Sequence, residues 1–160
     1  MVTEPMKWVG PMAKAGASLF TFHVESEMPK DGGIQTLIQA IKDAGMQVGI
    51  SLKPKTPVSS ILEYVKDIDL ILIMTVEPGF SGQKFMGDMM PKVAELRKAC
   101  PKMNIQVDGG LSPTTVDHAT QAGANVIVAA SAIFGSNDRS GVITSLRNSV
   151  EKYGHGKEIE

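Results

Sequence analysis

The sequence has little cysteine: one residue, Cys100, in a chain of 160, which excludes an internal disulfide bond. A lone cysteine is typical of proteins from reducing compartments. Cys100 stands in Arg-Lys-Ala-Cys-Pro, where Pro101 is expected to stop a helix. This position favours a small packing residue over a nucleophile.

Long apolar runs and blocks of like charge are also absent. The longest apolar stretch, residues 70–76, has the length of a buried strand and falls short of the roughly 18 residues that a membrane span needs. The formal net charge is -1, and no run of one sign indicates a nucleic-acid or membrane partner. Because Glu4, Pro5 and Lys7 interrupt the N-terminus, we expect no signal peptide and a cytoplasmic protein.

What the sequence does have is an alternation of strand and helix patterns. Hydrophobic residues make up 42% of the chain, which is ordinary for one soluble domain. Runs that are apolar on both faces predict strands covered on both sides, as in parallel sheets. These runs are residues 18–24, 47–52, 69–76, 104–107 and 125–129.

Helical patterns occupy the intervals between the predicted strands. They cover residues 5–15, 34–44, 59–65, 89–99, 114–122 and 141–153. Ser112 and Pro113 predict the start of the fifth helix, as N-cap and first helical residue. Three of the helices end in an Ala-Gly pair, at 15–16, 44–45 and 122–123, where glycine can adopt the left-handed cap conformation.

The repeat of about 25 residues predicts an α/β protein with a parallel sheet, either an open doubly wound sheet or a barrel. No glycine-rich phosphate turn follows the first strand, and the chemistry-bearing residues follow the later ones, which favours a TIM barrel. Five strands make an incomplete barrel, with exposed edges and an unfilled interior expected. We assign residues 1–153 to this partial barrel and 154–160 to a polar tail.

Three segments after predicted strands carry candidate chemistry. In MTVEPGFSGQKF, residues 74–85, Gly79 and Gly82 let the backbone approach a ligand closely. In VDGG, residues 107–110, Asp108 ends a strand, where a carboxylate is either catalytic or the start of a tight turn. In VIVAASAI, residues 126–133, a helical turn begins at Ser131, where small residues allow backbone amides to meet a phosphate.

Taken together and in this order, the three segments resemble those after strands six, seven and eight of the ribulose-phosphate 3-epimerase family. FTFHVE, residues 20–25, resembles the fourth strand of that family, and MVTEP, residues 1–5, resembles the end of the third strand and its loop. The resemblance covers residues 1–153. It implies a TIM barrel of the ribulose-phosphate-binding type that interconverts D-ribulose 5-phosphate and D-xylulose 5-phosphate in the pentose phosphate pathway.

The resemblance also implies residue roles. Asp108 matches an aspartate that is both an acid/base group at C3 and a ligand of a divalent metal ion, Fe²⁺, Zn²⁺, Mn²⁺ or Co²⁺. Met74 matches an apolar residue that shields the enediolate. The remaining matches are substrate-binding positions, several of them on the phosphate side: Gly79, Phe80, Ser81, Gly82, Gly109, Gly110, Ala130 and Ser131. Glycine is common at positions 81 and 130 in the family, and the Cβ of Ala130 stands where backbone meets phosphate.

The other parts of the family's site would precede Met1: a second catalytic aspartate, two metal-binding histidines and a substrate-binding serine. We therefore expect an incomplete metal site and a chain that is inactive by itself through truncation. His23 is interpreted as a hydrogen-bonded core residue, because the family's histidine at this strand is not a metal ligand. Lys53, at the end of a strand, is a weaker candidate for the mouth of the barrel.

Two other readings stay open. A different sugar-phosphate enzyme on the same barrel, such as an aldolase or decarboxylase, would need a catalytic lysine near Asp108, and none is evident. A non-catalytic chain would instead bind sugar phosphate or pair with a full-length subunit, and a homo-oligomer is also possible from the resemblance. The exposed barrel edge predicts that the isolated chain associates or aggregates.

Overall fold

In the part of the chain that the structure describes, five parallel strands form one sheet in the order in which they occur along the sequence. The computed structural model describes residues 1–80 and 82–154. The strands are β1 (Leu19–His23), β2 (Gln47–Leu52), β3 (Leu70–Met74), β4 (Asn104–Asp108) and β5 (Val126–Val128). A doubly wound sheet reverses its strand order at a switch point, whereas a barrel does not. The sequential order therefore selects the barrel-type architecture, with β1 and β5 as the edges of an open sheet.

Within the described residues six α-helices connect or flank the strands, and each of the five longer ones overlaps a predicted segment. They are α1 (Met6–Lys14), α2 (Gly33–Asp43), α3 (Met90–Ala99), α4 (Val116–Ala122), α5 (Ser131–Phe134) and α6 (Arg139–Tyr153). The predicted left-handed glycines are confirmed, since φ is 89° at Gly16, 79° at Gly45 and 117° at Gly123. No helix in the described ranges is both long and apolar enough to cross a membrane.

The helix predicted over residues 59–65 is wrong. Two 3₁₀ turns, Val58–Ser60 and Leu62–Tyr64, occupy this connection. Their backbone bonds run three residues back, from the N–H of Ile61 to Val58 and from Tyr64 to Ile61. The Ser60 hydroxyl donates to the carbonyl of Pro57 at 2.7 Å, and such local bonds compete with regular helix.

The start predicted for the fifth helix is also wrong. The helix begins at Val116, with Thr115 rather than Ser112 at the N-cap position. Ser112 closes a turn before the helix, because its carbonyl accepts from the N–H groups of Thr115 and Val116. The Thr115 hydroxyl donates to the carbonyl of Gly110 at 3.1 Å, so this side chain serves the loop after β4.

The two faces of the sheet differ in what covers them. On the outer face, Val48, Ile50 and Leu52 of β2 join one large core cluster with fully buried Leu37 and Ile41 of α2. Each such side chain stabilises the fold by about 1.5–3 kcal/mol relative to an exposed position. Cys100 caps the end of α3 beside this core, and burial raises the pKa of its thiol, as suits a packing residue.

The inner face is better filled than the sequence predicted. Leu70, Leu72 and Met74 of β3 are at most 7% exposed, and Leu19 of β1 packs against their cluster. That contact passes over β2, where Gly49 pairs with Leu70 and carries no side chain. The inner side of the central strand is therefore buried without a closed barrel, and Gly49 adds no side chain between β1 and β3.

Candidate active site

A cavity of about 490 Å³ opens at the carboxyl edge of the sheet, among the loops that follow β3, β4 and β5. It brings together nine of the ten predicted site residues: Met74, Gly79, Phe80, Gly82, Asp108, Gly109, Gly110, Ala130 and Ser131. The tenth, Ser81, lies outside the described residues, as do positions 155–160 of the predicted tail. The parallel register causes this convergence, because Met74 pairs with Asp108 and Asp108 pairs with Val128.

Asp108 holds the one carboxylate among the described residues that line the cavity. Its side chain projects from the last position of β4 beside Met74, which is 2% exposed. Burial raises the pKa of the Asp108 carboxyl, because desolvation disfavours the charged form. A carboxylate of raised pKa is a stronger base, which suits proton transfer to and from carbon.

The loop after β3 is held by side-chain bonds to its own backbone. Gln83 Nε2 donates to the carbonyls of Glu77 at 2.7 Å and Phe80 at 3.0 Å. The N–H of Met86 donates to Thr75 O at 2.9 Å and returns the chain to the end of β3. Phe80 is 76% exposed at the rim of the cavity. The described residues of this loop therefore form one wall of the cavity, with the Phe80 ring facing solvent.

Glycine is required at both positions after Asp108, because residues of the loop after β3 lie too close to leave room for a Cβ. A Cβ on Gly109 would lie 2.6 Å from Val76 Cγ2, and one on Gly110 would lie 2.7 Å from Phe85 Cα. Both residues also have positive φ, 129° and 68°. The fully buried Thr75 hydroxyl donates to Gly109 O at 2.7 Å and ties the two loops together.

After β5, the chain turns at Ala130 into the short helix α5. The carbonyl of Ala130 accepts from the N–H groups of Ile133 and Phe134, so Ser131 and Ala132 supply the first helical N–H groups, which have no intrahelical partner. Amides in this position favour anions. Ala130 has φ of -113°, so the alanine side chain brings no left-handed strain to a position where the resemblance has glycine.

Sequence reasoning assigned no role to two side chains that shape this cavity, Thr75 and Gln83. Both stand within the MTVEPGFSGQKF segment, so the motif contained them. Their effect comes from hydrogen bonds to the carbonyls of Gly109, Glu77 and Phe80. The motif gave no signal of which side chains make such bonds.

His23 and Lys53 do not line the cavity within the described part of the chain. His23 is buried on β1, with Nδ1 3.2 Å from Glu25 Oε2, which confirms the interpretation of a hydrogen-bonded core histidine. The backbone N–H of Lys53 donates to Glu25 Oε1 at 2.9 Å. Glu25 thus joins the ends of β1 and β2.

A divalent metal ion does not fit the described residues alone. No group of three or more histidine, cysteine, aspartate or glutamate side chains gathers anywhere in the described ranges. A transition metal favours several nitrogen and oxygen ligands, and Asp108 by itself supplies one carboxylate.

Residues 1–134 match the model of the ribulose-phosphate 3 epimerase family. The chain is 54% identical over 154 residues to a ribulose-phosphate 3-epimerase, cytoplasmic isoform, of Oryza sativa, covering 94% of this chain and 66% of that one. It is 51% identical to the Schizosaccharomyces pombe enzyme, covering 95% and 65%. It is 39% identical to that of Bacillus subtilis, covering 93% and 69%. The chain thus spans about two thirds of the length of these curated relatives.

Solved structures show the same fold at lower sequence identity. A 3-hexulose-6-phosphate synthase from Salmonella typhimurium superposes with a TM-score of 0.69 at 22% identity, covering 93% of this chain and 69% of that one. KGPDC from Streptococcus mutans in complex with D-R5P superposes with a TM-score of 0.70 at 14% identity, covering 94% and 68%. At these identities the likeness concerns the fold alone.

Proposed function

The chain belongs to the ribulose-phosphate 3-epimerase family, and we propose that it supplies one acid/base group and the phosphate-side loops of a site for epimerising D-ribulose 5-phosphate and D-xylulose 5-phosphate at C3. One observation carries the proposal. Asp108, a carboxyl whose pKa burial raises, shares one cavity with Gly79, Gly82, Ala130 and Ser131.

The chemistry follows from the acidity of a carbon next to a carbonyl. Asp108 takes the proton from C3, the electron pair of the broken C–H bond forms a C2–C3 double bond, and the C2 oxygen becomes negative. Return of a proton on the same face restores the sugar, and return on the opposite face gives the epimer. Because one carboxylate serves one face, inversion needs a second acid/base group, which the described lining of the cavity does not contain.

The sugar phosphate is proposed to bind through backbone groups. Within the described residues no lysine or arginine lines the cavity, whereas glycines and the first turn of α5 do. Backbone N–H groups in such concave turns bind anions without a charged side chain. Met74 and Val76, both nearly buried, close the floor beneath the reacting carbons and limit water there.

Solvent exchange at C3 is the experiment that tests the proposal. The chain is incubated with D-ribulose 5-phosphate in D₂O, and the C3 proton signal is followed by ¹H NMR while xylulose 5-phosphate formation is followed separately. We expect exchange that falls by about 10²–10⁴-fold in Asp108→Asn, the usual range for loss of a general base. Unphosphorylated D-ribulose is the matched substrate control.

Each outcome of that experiment has a distinct meaning. Exchange with epimer formation supports a complete site, and exchange without it supports a single working face. Sugar-phosphate binding by calorimetry without exchange would overturn the catalytic proposal in favour of a non-catalytic binding chain. Exchange that persists in Asp108→Asn would overturn the role of Asp108.

The location, pathway, metal dependence and assembly predicted from the sequence belong to the same proposal. A cytoplasmic location is supported by the rice relative, whose name states a cytoplasmic isoform. A place in the pentose phosphate pathway is proposed with the reaction itself. Divalent metal binding at Asp108 requires further ligands from outside the described residues. Further copies of the chain or related subunits are the proposed partners besides the sugar phosphate, because the sheet has open edges.

A further inference from the structure

Two buried polar atoms on the inner face of the sheet lack a hydrogen-bond partner within the described residues: Nε2 of His23 and Oγ of Ser51. His23 is 9% exposed and Ser51 is 1% exposed. The two residues are partners in the β1–β2 ladder, so their side chains project side by side from neighbouring strands. A buried polar atom without a partner costs stability, so each of these two atoms needs a partner that the described residues do not supply.

Glu25 determines which nitrogen of His23 carries the proton. Its Oε1 accepts from the N–H of Lys53 at 2.9 Å and from the Thr56 hydroxyl, and its Oε2 lies 3.2 Å from His23 Nδ1. These bonds lower the pKa of the Glu25 carboxyl despite its partial burial, so the group is an ionised acceptor near neutral pH. Nδ1 is therefore the donor, and Nε2 presents a lone pair that needs a donor.

The corner around these atoms is polar. Gly49, two residues before Ser51 on the same face, has no side chain, and the Thr21 hydroxyl occupies the position that a Cβ of Gly49 would take. Thr21 also precedes His23 by two residues on that face. Three groups able to hydrogen-bond thus face one corner beside a glycine, whereas the β3 side of the interior is apolar.

We propose that His23 Nε2 and Ser51 Oγ bind one internal water molecule between the ends of β1 and β2. The water donates to Nε2 and bonds with the Ser51 hydroxyl, as internal waters do when they join polar groups that have no other partner. The groups present suit water better than a cation, because the carboxylate of Glu25 bonds elsewhere. The water completes a chain of hydrogen bonds from the loop of Lys53 and Thr56 through Glu25 and His23 to Ser51.

Measurements on the unaltered chain test the proposal first. Long-range ¹H–¹⁵N NMR reports the His23 tautomer, and water relaxation dispersion counts long-lived internal waters. We expect the Nδ1–H tautomer and one long-lived water that is lost in Ser51→Ala and in His23→Phe. An Nε2–H tautomer, or a water count unchanged in both variants, would overturn the proposal.

The effect of Ser51→Ala on stability distinguishes a Ser51 hydroxyl that is bonded to water from one that has no partner. If its hydroxyl bonds to water shared with His23, Ser51→Ala lowers the folding equilibrium constant about three- to tenfold, as for loss of one buried hydrogen bond. If the hydroxyl is unpaired, alanine raises that constant. The exposed Ser140→Ala is the matched control. The His23→Phe and Ser51→Ala effects should be non-additive, because either change removes the shared water; strict additivity would contradict a common ligand.

Discussion

At Gly110 the backbone itself forms part of the candidate site. Its φ is 68°, and a Cβ there would lie 2.7 Å from Phe85 Cα and meet the N–H of the same residue. We expect Gly110→Ala to destabilise the chain by about 1–3 kcal/mol, because both backbone strain and overpacking act at this position. The added Cβ should also displace residues 83–85, which form part of the loop beside the cavity. Sugar-phosphate binding, measured by calorimetry, should therefore weaken.

Gly10→Ala is the matched control for that substitution. Gly10 lies within α1, and an added Cβ would meet nothing within 4 Å. Alanine is the better helix former by about 1 kcal/mol, so this variant should gain stability and keep sugar-phosphate binding. If the two variants lost equal amounts of stability and binding, the close backbone contact at Gly110 would not be the reason that glycine is required there.

His23 makes stability depend on pH. Burial lowers its pKa below the ordinary value of 6.5, and the attraction of Glu25 opposes this only in part. In the window just below 6.5 the unfolded chain therefore binds more protons than the folded one, so the free energy of unfolding falls as pH falls. Glu25 has a lowered pKa, so its own contribution is lost only at lower pH, below its ordinary 4.5.

Urea unfolding at pH 7 and pH 5.5 measures this effect. The decrease in unfolding free energy between the two should shrink in His23→Gln, whose side chain does not titrate. His118→Gln, on the exposed side of α4, is the matched control. If His118→Gln reduces the difference in unfolding free energy between the two pH values as much as His23→Gln does, His23 is not the group responsible.

For whole helices and strands, the predictions succeeded where the pattern of apolar residues is sufficient to define the element. The strand predicted over residues 47–52 is confirmed at both ends. It pairs with β1 on one side and β3 on the other, so its apolar residues are buried on both faces, as the apolar run predicts. They failed at residues 59–65 and at the start of α4, where hydrogen bonds of Ser60, Ser112 and Thr115 replace helical ones. Such bonds depend on which carbonyl the fold brings near.

In the candidate site, too, the sequence predicted what strand order determines and missed what tertiary contacts determine. The order of strands places Asp108, Gly79 and Ser131 at one edge, so motif order along the chain was enough to predict their convergence. The bonds of Thr75 and Gln83 to loop carbonyls join segments by tertiary geometry, and no sequence pattern specifies them. The polar corner at His23 and Ser51 likewise appears only once β1 and β2 are paired.

Arg97 joins two connections at the opposite, amino edge of the sheet. Its guanidinium donates to the carbonyls of Gly123, Pro101 and Met103 at 2.8–2.9 Å and also reaches Asn125. A lysine keeps the charge but cannot reproduce this fork. We expect Arg97→Lys to lower the free energy of unfolding by about 1–3 kcal/mol in urea titrations.

Because these acceptors precede β4 and β5, the candidate site at the other edge should keep its sugar-phosphate affinity in Arg97→Lys. Lys98→Arg, an exposed neighbour on α3, is the matched control and should change stability by less than about 0.5 kcal/mol. A loss of binding as large as the loss of stability would mean that the two edges are coupled.

For the whole molecule, the open sheet predicts association. β1 and β5 are both edge strands, and a largely apolar groove of about 240 Å³, with Thr21 and His23 as its polar members, runs beside β1. Trp8, 44% exposed, and Met12, 39% exposed, line that groove. Exposed edges and apolar patches of this kind drive pairing between chains. We therefore expect the mass measured by light scattering or sedimentation to rise with protein concentration.

Replacing Trp8 and Met12 by lysine should shift this equilibrium toward monomer, because charge beside an edge strand opposes pairing. Leu62→Lys, at an equally exposed apolar residue in a 3₁₀ turn, is the matched control and should leave association unchanged. A monomer at every concentration, with a sharp cooperative thermal transition, would show that the packing that buries Leu72 and Met74 also protects the edges. Equal effects of the two changes would instead indicate general apolar aggregation, with no preference for the β1 edge.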